Sequence, residues 1–195
     1  MHMSDSLFSI NEILDNPNLI PSTAGIYYWY FNENTIPHLI NLHKCKKVQG
    51  NYLLMYVGIS PSRKNSHQSL RSRIISNHLH GNASSSTLRR SLGCLLSEDL
   101  GIQLRCTENG KRVKFFTGIN ENGERILTQW MRENAHISWE EVNEPWNMEP
   151  EIIQTGFYPL NLEHNEHNEN YPILSEIRKE CLNNARRLPQ LLATN

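Results

Sequence analysis

The sequence predicts an α/β (α+β) domain, a small and mostly antiparallel central sheet flanked by helices. Three observations lead there. Residues 24–33 (AGIYYWYFNE) and 52–60 (YLLMYVGIS) are rich in Ile, Tyr, Trp, Val and Phe and are bounded by turn residues, as strands are. Several other stretches repeat apolar residues at helical spacing. A chain of 195 residues is long enough for one core with elaborations and too short for two comfortable ones, so a single domain over 1–195 is expected.

The elements follow in order. SINEILDN opens with Ser9 three residues before Glu12, a capping box that predicts a short leading helix. The two aromatic strands come next, joined by a long, polar, basic loop that ends in Gly50-Asn51. Leu70, Ile74, Ile75 and Leu79 are spaced for a helix that stops at Gly81. Leu88, Leu92, Leu95 and Leu96 mark a second helix, with Ser86 or Thr87 as its cap. IQLRC and RVKFFTG flank TENGK, whose Asn109-Gly110 pair predicts a hairpin. A helix over ERILTQWMRENA, a strand over HISWEEV, a short helix over MEPEIIQTG and a final helix over about 173–188 complete the reading.

The formal net charge is −1, yet the cations are unevenly spread. Residues 34–97 hold Lys44, Lys46, Lys47, Arg63, Lys64, Arg71, Arg73, Arg89 and Arg90 and no carboxylate, which leaves the rest of the chain at −10. A segregated positive stretch suits a phosphate-backbone partner, although chance clustering on a solvated face gives the same pattern. Arg63, Lys64, Arg71, Arg89 and Arg90 are the candidate nucleic-acid contacts, and a solvated cation is the plainer reading of Arg71, Arg89 and Arg90. No apolar run approaches the roughly 18 residues that span a bilayer, and the N-terminus lacks the regions of a secretory signal. A cytoplasmic protein without a membrane partner is expected. Cys45, Cys94, Cys106 and Cys181 show no C-x-x-C spacing, which argues for reduced, mostly buried thiols. His38, His43 and Cys45, or His164 and His167, could ligate a transition metal, but loops of this composition are more often simply solvated.

Taken in order, five features resemble the GIY-YIG nuclease superfamily. Gly25-Ile26-Tyr27 is similar to its first motif and Tyr56-Val57-Gly58 to its second. LRSRI matches the pattern that places an arginine at Arg73, and EPEIIQTGFYPLNL resembles the closing segment, with Glu149 as the glutamate and Asn161 as the asparagine. The resemblance covers about 24–79 and 136–162, so residues 80–135 read as an insertion. The family often has a histidine or tyrosine four residues after its arginine; here that position is Asn77, and His78 follows one later.

The resemblance implies a metal-dependent DNA endonuclease that uses Tyr27, Tyr56, Arg73, His78, Glu149 and Asn161. The chemistry suits these residue types. A single carboxylate, Glu149, fits Mg²⁺ (or Mn²⁺), which keeps several waters. The planar fork of Arg73 matches two phosphate oxygens. A phenol with an ordinary pKa near 10 needs nearby positive charge to act as a base at neutral pH; Tyr27 is the favoured base or water-positioning group and Tyr56 its partner. The alternative is a non-catalytic nucleic-acid-binding module on the same scaffold.

Overall fold

A computed structural model describes residues 6–107, 110–120 and 122–189. Among these, six strands form two sheets: β1 (Phe8–Ser9), β2 (Gly25–Asn32), β3 (Tyr52–Ser60), β4 (Gln103–Thr107), β5 (Arg112–Phe116) and β6 (Ala135–Glu141). The larger sheet is antiparallel throughout, in the order β1-β6-β2-β3, and β4 pairs with β5 alone. The Asn109 half of the predicted hairpin turn lies outside the described residues. The two-residue β1, which pairs with β6, had no signal in the sequence beyond its own cap serine.

Strand β2 is covered on both faces. Its alternation sends Tyr27, Trp29 and Phe31 into the main core and Ile26, Tyr28 and Tyr30 into a second cluster closed by Ile153 and Tyr158. Strand β3 breaks the alternation. Trp29 pairs with Tyr56 and Tyr30 with Leu54, so Met55 is an extra, unpaired residue in a β-bulge. Leu53 before the bulge, Met55 in it and Tyr56 after it therefore share the face of Tyr27. A regular strand that buried Met55 there would have turned Tyr56 away. The chain also closes over the bulge: Leu160 N–H donates to Met55 O at 3.0 Å, and the Asn161 side chain brackets Val57, accepting from its N–H at 3.0 Å and donating to its C=O at 2.8 Å. Asn161 thus acts as one rung of a further strand on the free edge of β3.

Five α-helices surround the sheets: α1 (Ile10–Asp15), α2 (Thr87–Leu95), α3 (Gly123–Asn134), α4 (Glu149–Thr155) and α5 (Tyr171–Arg187). The expected capping box on α1 is present, with Ser9 and Glu12 exchanging hydrogen bonds. Ser86 caps α2 by accepting from Arg89 N–H at 3.1 Å. The helix expected at residues 70–79 differs in kind. From Ser72 to Leu79 it is a π-helix, ending with His80 N–H bonded to Ile75 O, five residues back. Leu70, Ile74 and Leu79 still reach the core, since spacings of four and five both fit that winding. No helix among the described residues is long and apolar enough to cross a membrane.

Residues 80–135 supply α2, the β4–β5 hairpin and α3, and α5 packs across α2 and β4. Here Arg89 corrects the expectation of a nucleic-acid contact. Its position on the Leu-rich face of α2 leaves it 0% exposed. Nε and Nη2 donate to Glu124 Oε2 at 3.0 and 2.7 Å, and Nη1 donates to His78 O and to Thr128 Oγ1, both at 2.9 Å. Glu124 Oε1 accepts from Ala83 N–H and Phe115 N–H in turn. The guanidinium thus ties the π-helix, α2, α3 and β5 together and cannot reach a backbone phosphate. Breaking a buried pair from one side costs about 3–5 kcal/mol. Arg89→Ala is therefore expected to lower the urea-unfolding stability by that amount while leaving the salt dependence of nucleic-acid binding by the folded protein unchanged; a flattened salt dependence would restore Arg89 as a phosphate contact.

Candidate active site

The bulge in β3 brings the two motif phenols to one face of the sheet. Tyr27 lies opposite Gly58 in the β2–β3 ladder, and a Cβ on Gly58 would overlap the Tyr27 hydroxyl and ring. The glycine of the second motif is thus the space into which the tyrosine of the first one fits. Tyr56, two residues from that glycine, shares a hydrogen bond with Thr87 Oγ1 at 3.3 Å.

The π-helix explains how His78 enters the site although it follows Arg73 by five residues. When the backbone bonds five residues apart, Arg73 and His78 stack on one face. Arg73 Nε donates to Tyr27 Oη at 3.3 Å, and His78 Nε2 lies 2.8 Å from the same oxygen. Asn77, at the position matching the family pattern, instead accepts from Gln68 Nε2. The second ring nitrogen of His78, Nδ1, is 2.7 Å from Ser86 Oγ, which already accepts from Arg89 N–H. Ser86 is buried, so the neutral ring of His78 bridges two buried hydroxyls, Ser86 Oγ through Nδ1 and Tyr27 Oη through Nε2. Arg73 Nε and His78 Nε2 thus converge on one phenol oxygen.

Tyr27, Tyr56, Arg73, Glu149 and Asn161 line a single cleft of about 510 Å³. Arg73 is anchored further by donation from Nη1 to Ser85 O at 3.1 Å, which leaves Nη2 for a ligand. Glu149 begins α4, whose Ile153 is buried one turn on, and so faces the cleft; Glu151 is exposed. Asn161 has both amide groups engaged with Val57, so its contact with the site passes through β3. His78 lies fully buried behind Tyr27 and does not line the cleft.

Among the other lining residues, Thr87 was read as a cap of α2, while Ser91, Glu163 and Arg178 escaped the reading of the sequence. Thr87 and Ser91 are one turn apart on α2 and interrupt its leucines, which is a signal that was there to be used. Glu163 sits two residues after Asn161 in a stretch whose Asn, Glu and His content hid it. Arg178 is one of several cations on α5 and carries no local mark.

Burial pushes the Tyr27 pKa up, Tyr56 adds to the rise, and Arg73 opposes it. Tyr56 is raised by burial too, with Thr87 and Arg73 working the other way. Burial, with Arg73 and Arg89, holds His78 well below the ordinary histidine value, so the ring is neutral. Glu149 is raised by burial and then by Glu163, with His164 and Arg73 opposing. Further positive charge near Glu149 would relieve its carboxylate, and no side chain among the described residues donates a hydrogen bond to Glu149. The candidate donors are hard oxygens, and no group of three His, Cys, Asp or Glu residues among those described could hold a metal ion. Neither histidine segment builds a metal centre: His43 is bonded to Asn41 and lies 3.5 Å from Glu169.

Of the outer cations, Arg63 and Lys64 are exposed between β3 and the π-helix, beside the cleft. Arg71 is half-buried and donates to Ile20 O at 2.7 Å; Arg90 is half-buried and donates to Ala83 O at 2.8 Å. Lys44 and Lys47 pair with Glu169 and Glu33, so part of the positive stretch is neutralised by carboxylates outside it.

A family model described as the GIY-YIG catalytic domain matches residues 25–183, and the chain belongs to that family. Membership implies nuclease activity of the endonuclease type and a nucleic-acid substrate. Searches of curated proteins and of solved structures returned no match.

Two outcomes follow from the geometry. Gly58→Ala is expected to displace the Tyr27 hydroxyl and reduce cleavage by about 10²-fold or more, the scale of losing an acid–base group; near-normal cleavage would show that the hydroxyl position is unimportant. The second concerns His78, whose folded pKa is depressed below its unfolded value of about 6.5. Its contribution to stability is complete above about pH 6.5 and drains away as pH falls towards the folded pKa. Urea unfolding below about pH 6.5 should show a steeper loss for the parent than for His78→Gln; parallel curves would assign the loss to other groups.

Proposed function

We propose that the chain is a metal-dependent endonuclease that hydrolyses phosphodiester bonds of DNA in the cytoplasm. The observation that carries the reading is the convergence of Arg73 Nε and His78 Nε2 on Tyr27 Oη inside the cleft that Tyr56 and Glu149 share. It is read as one domain, with the 80–135 insertion supplying Ser86, Thr87 and Ser91 to a site built on 24–79 and 136–162.

In this reading Tyr27 is the base. The Arg73 donor favours its phenolate against the burial that disfavours it. Tyr27 first loses its own proton to solvent as positive charge gathers in the site; Tyr56, fixed by Thr87, then orients the attacking water towards phosphorus, and the water proton passes to the Tyr27 phenolate oxygen. Arg73 presents Nη2 to the non-bridging oxygens, where charge grows in the transition state. Glu149, with Glu163 beside it, would hold a Mg²⁺ or Mn²⁺ ion, whose charge when bound stabilises the phosphate and the departing oxygen. Asn161 is a positioning residue that keeps β3, and hence Tyr56, in place. Arg63 and Lys64 guide the flanking backbone.

The direct test is incubation of the purified protein with supercoiled plasmid and with single-stranded circular DNA, with and without Mg²⁺ or Mn²⁺. Cation-dependent nicking is expected; binding without cleavage under every condition would favour the non-catalytic module. Tyr27→Phe and Tyr56→Phe should each fold and lose about 10²–10⁴-fold in cleavage, whereas full activity in both would make the rings mere core. Glu149→Gln should bind DNA at least as well as the parent and fail to cleave at any cation concentration, while Glu151→Gln cleaves almost normally. Exchanged phenotypes would overturn the assignment of Glu149.

A further inference from the structure

The cleft contains a second arginine that the reaction above does not use. Arg178 projects from α5, which lies outside every motif segment, and lines the cleft together with Thr87 and Ser91 of α2. Its Nη1 donates to Ser91 Oγ at 3.4 Å, a long bond to a neutral oxygen. Ser91 is itself buried. Burial pushes the Arg178 pKa down, Arg90 pushes it further, and no carboxylate is among the groups that oppose the shift. Both acidic residues of the cleft, Glu149 and Glu163, thus leave Arg178 without compensation. A desolvated guanidinium beside a like charge is costly unless an anion reaches it.

We propose that Arg178, seated on Ser91 with Thr87 beside it, is a phosphate-binding residue that takes the phosphate next to the scissile one on the same strand. The inference rests on the nuclease reading, in which Arg73 holds the scissile phosphate. A cleft of about 510 Å³ is in the range that encloses a drug-sized ligand. It has room for a short piece of one backbone and not for both strands of a duplex, so two arginines in it meet neighbouring phosphates of one strand. A hydroxyl pair, Thr87 and Ser91, adds neutral donors for phosphate oxygens. The insertion and the C-terminal helix, both outside the motif core, together build this subsite.

Binding is measured in the non-cleaving Glu149→Gln background, with a short duplex of mixed sequence and one of its strands as probes, over a series of salt concentrations. Arg178→Ala is expected to weaken binding about 10- to 100-fold, as loss of a hydrogen bond between charged groups does. It should also reduce the slope of log affinity against log salt by about 0.9 on duplex or about 0.7 on single strand. Arg178→Gln keeps a donor for Ser91 without the charge and should show the same reduced slope, whereas Arg178→Lys should keep the parent slope. Thermal unfolding of each variant identifies those that fold. A purely structural Arg178 would be rescued by Gln and leave the slope unmoved, which would overturn the inference. In the cleaving protein, a methylphosphonate placed beside the mapped cleavage position should slow the parent and not Arg178→Ala; equal slowing of both would also overturn it. If the parent binds but never cleaves, the nuclease reading fails while the salt slopes still decide whether Arg178 meets a phosphate. If it binds neither probe, both fall.

Discussion

The site depends on one buried guanidinium. Arg89 sits where the π-helix ends, α2 begins and α3 passes, and its donors meet His78 O, Thr128 Oγ1 and the Glu124 carboxylate. A π-helix leaves carbonyls at its C-terminal end without intrahelical partners, as any helix does. Arg89 satisfies that of His78, and Thr128 Oγ1 donates to Leu79 O. The same residue offers its backbone N–H to Ser86 Oγ, the atom that faces His78 Nδ1. Winding, cap and imidazole orientation are therefore set together. The charge is tolerable in the interior because Glu124 neutralises it and every neighbouring acceptor is used.

Around that fixed point the electrostatics of the cleft are opposed, and burial outweighs the opposing charge. Burial resists ionisation of Tyr27, Tyr56 and Glu149 alike, while Arg73 favours the anionic form of each. Such a cavity holds its groups neutral or strained until more positive charge arrives. His78 contributes without charge, since two arginines and burial keep it neutral. It meets Tyr27 Oη through Nε2, from a ring that packs edge-on against Trp29 and Tyr56.

Much of this was legible in the sequence because the features were local. Ser9 and Glu12 announce their helix within four residues, and the aromatic runs of β2 and β3 need no partner to read as strands. The motif residues Tyr27, Tyr56, Arg73 and Glu149 do line one cleft, as their order along the chain implied. What could not be read depends on distant partners or on backbone irregularity. Arg89 looks like a surface cation until Glu124, thirty-five positions later, is seen beside it. Apolar residues spaced by four and five satisfy α and π winding equally, and the alternation of β3 hides an extra residue because Met55 is apolar and buried either way. Arg178 acquires its meaning from α2, far upstream in sequence.

The bulge and the π-helix are the same kind of event in two backbones, since each accommodates one residue more than its regular repeat allows. One lies directly before Tyr56 and the other between Arg73 and His78. A residue-for-residue alignment against chains with a regular helix would pair Asn77 with their histidine and count this site as broken. Opening a one-residue gap within Ser72–Leu79 restores the correspondence. Conversely, deleting a residue from either element would leave composition and hydrophobicity almost untouched while rotating Tyr56 or His78 out of place. Such a deletion would leave the recognisable motif letters intact.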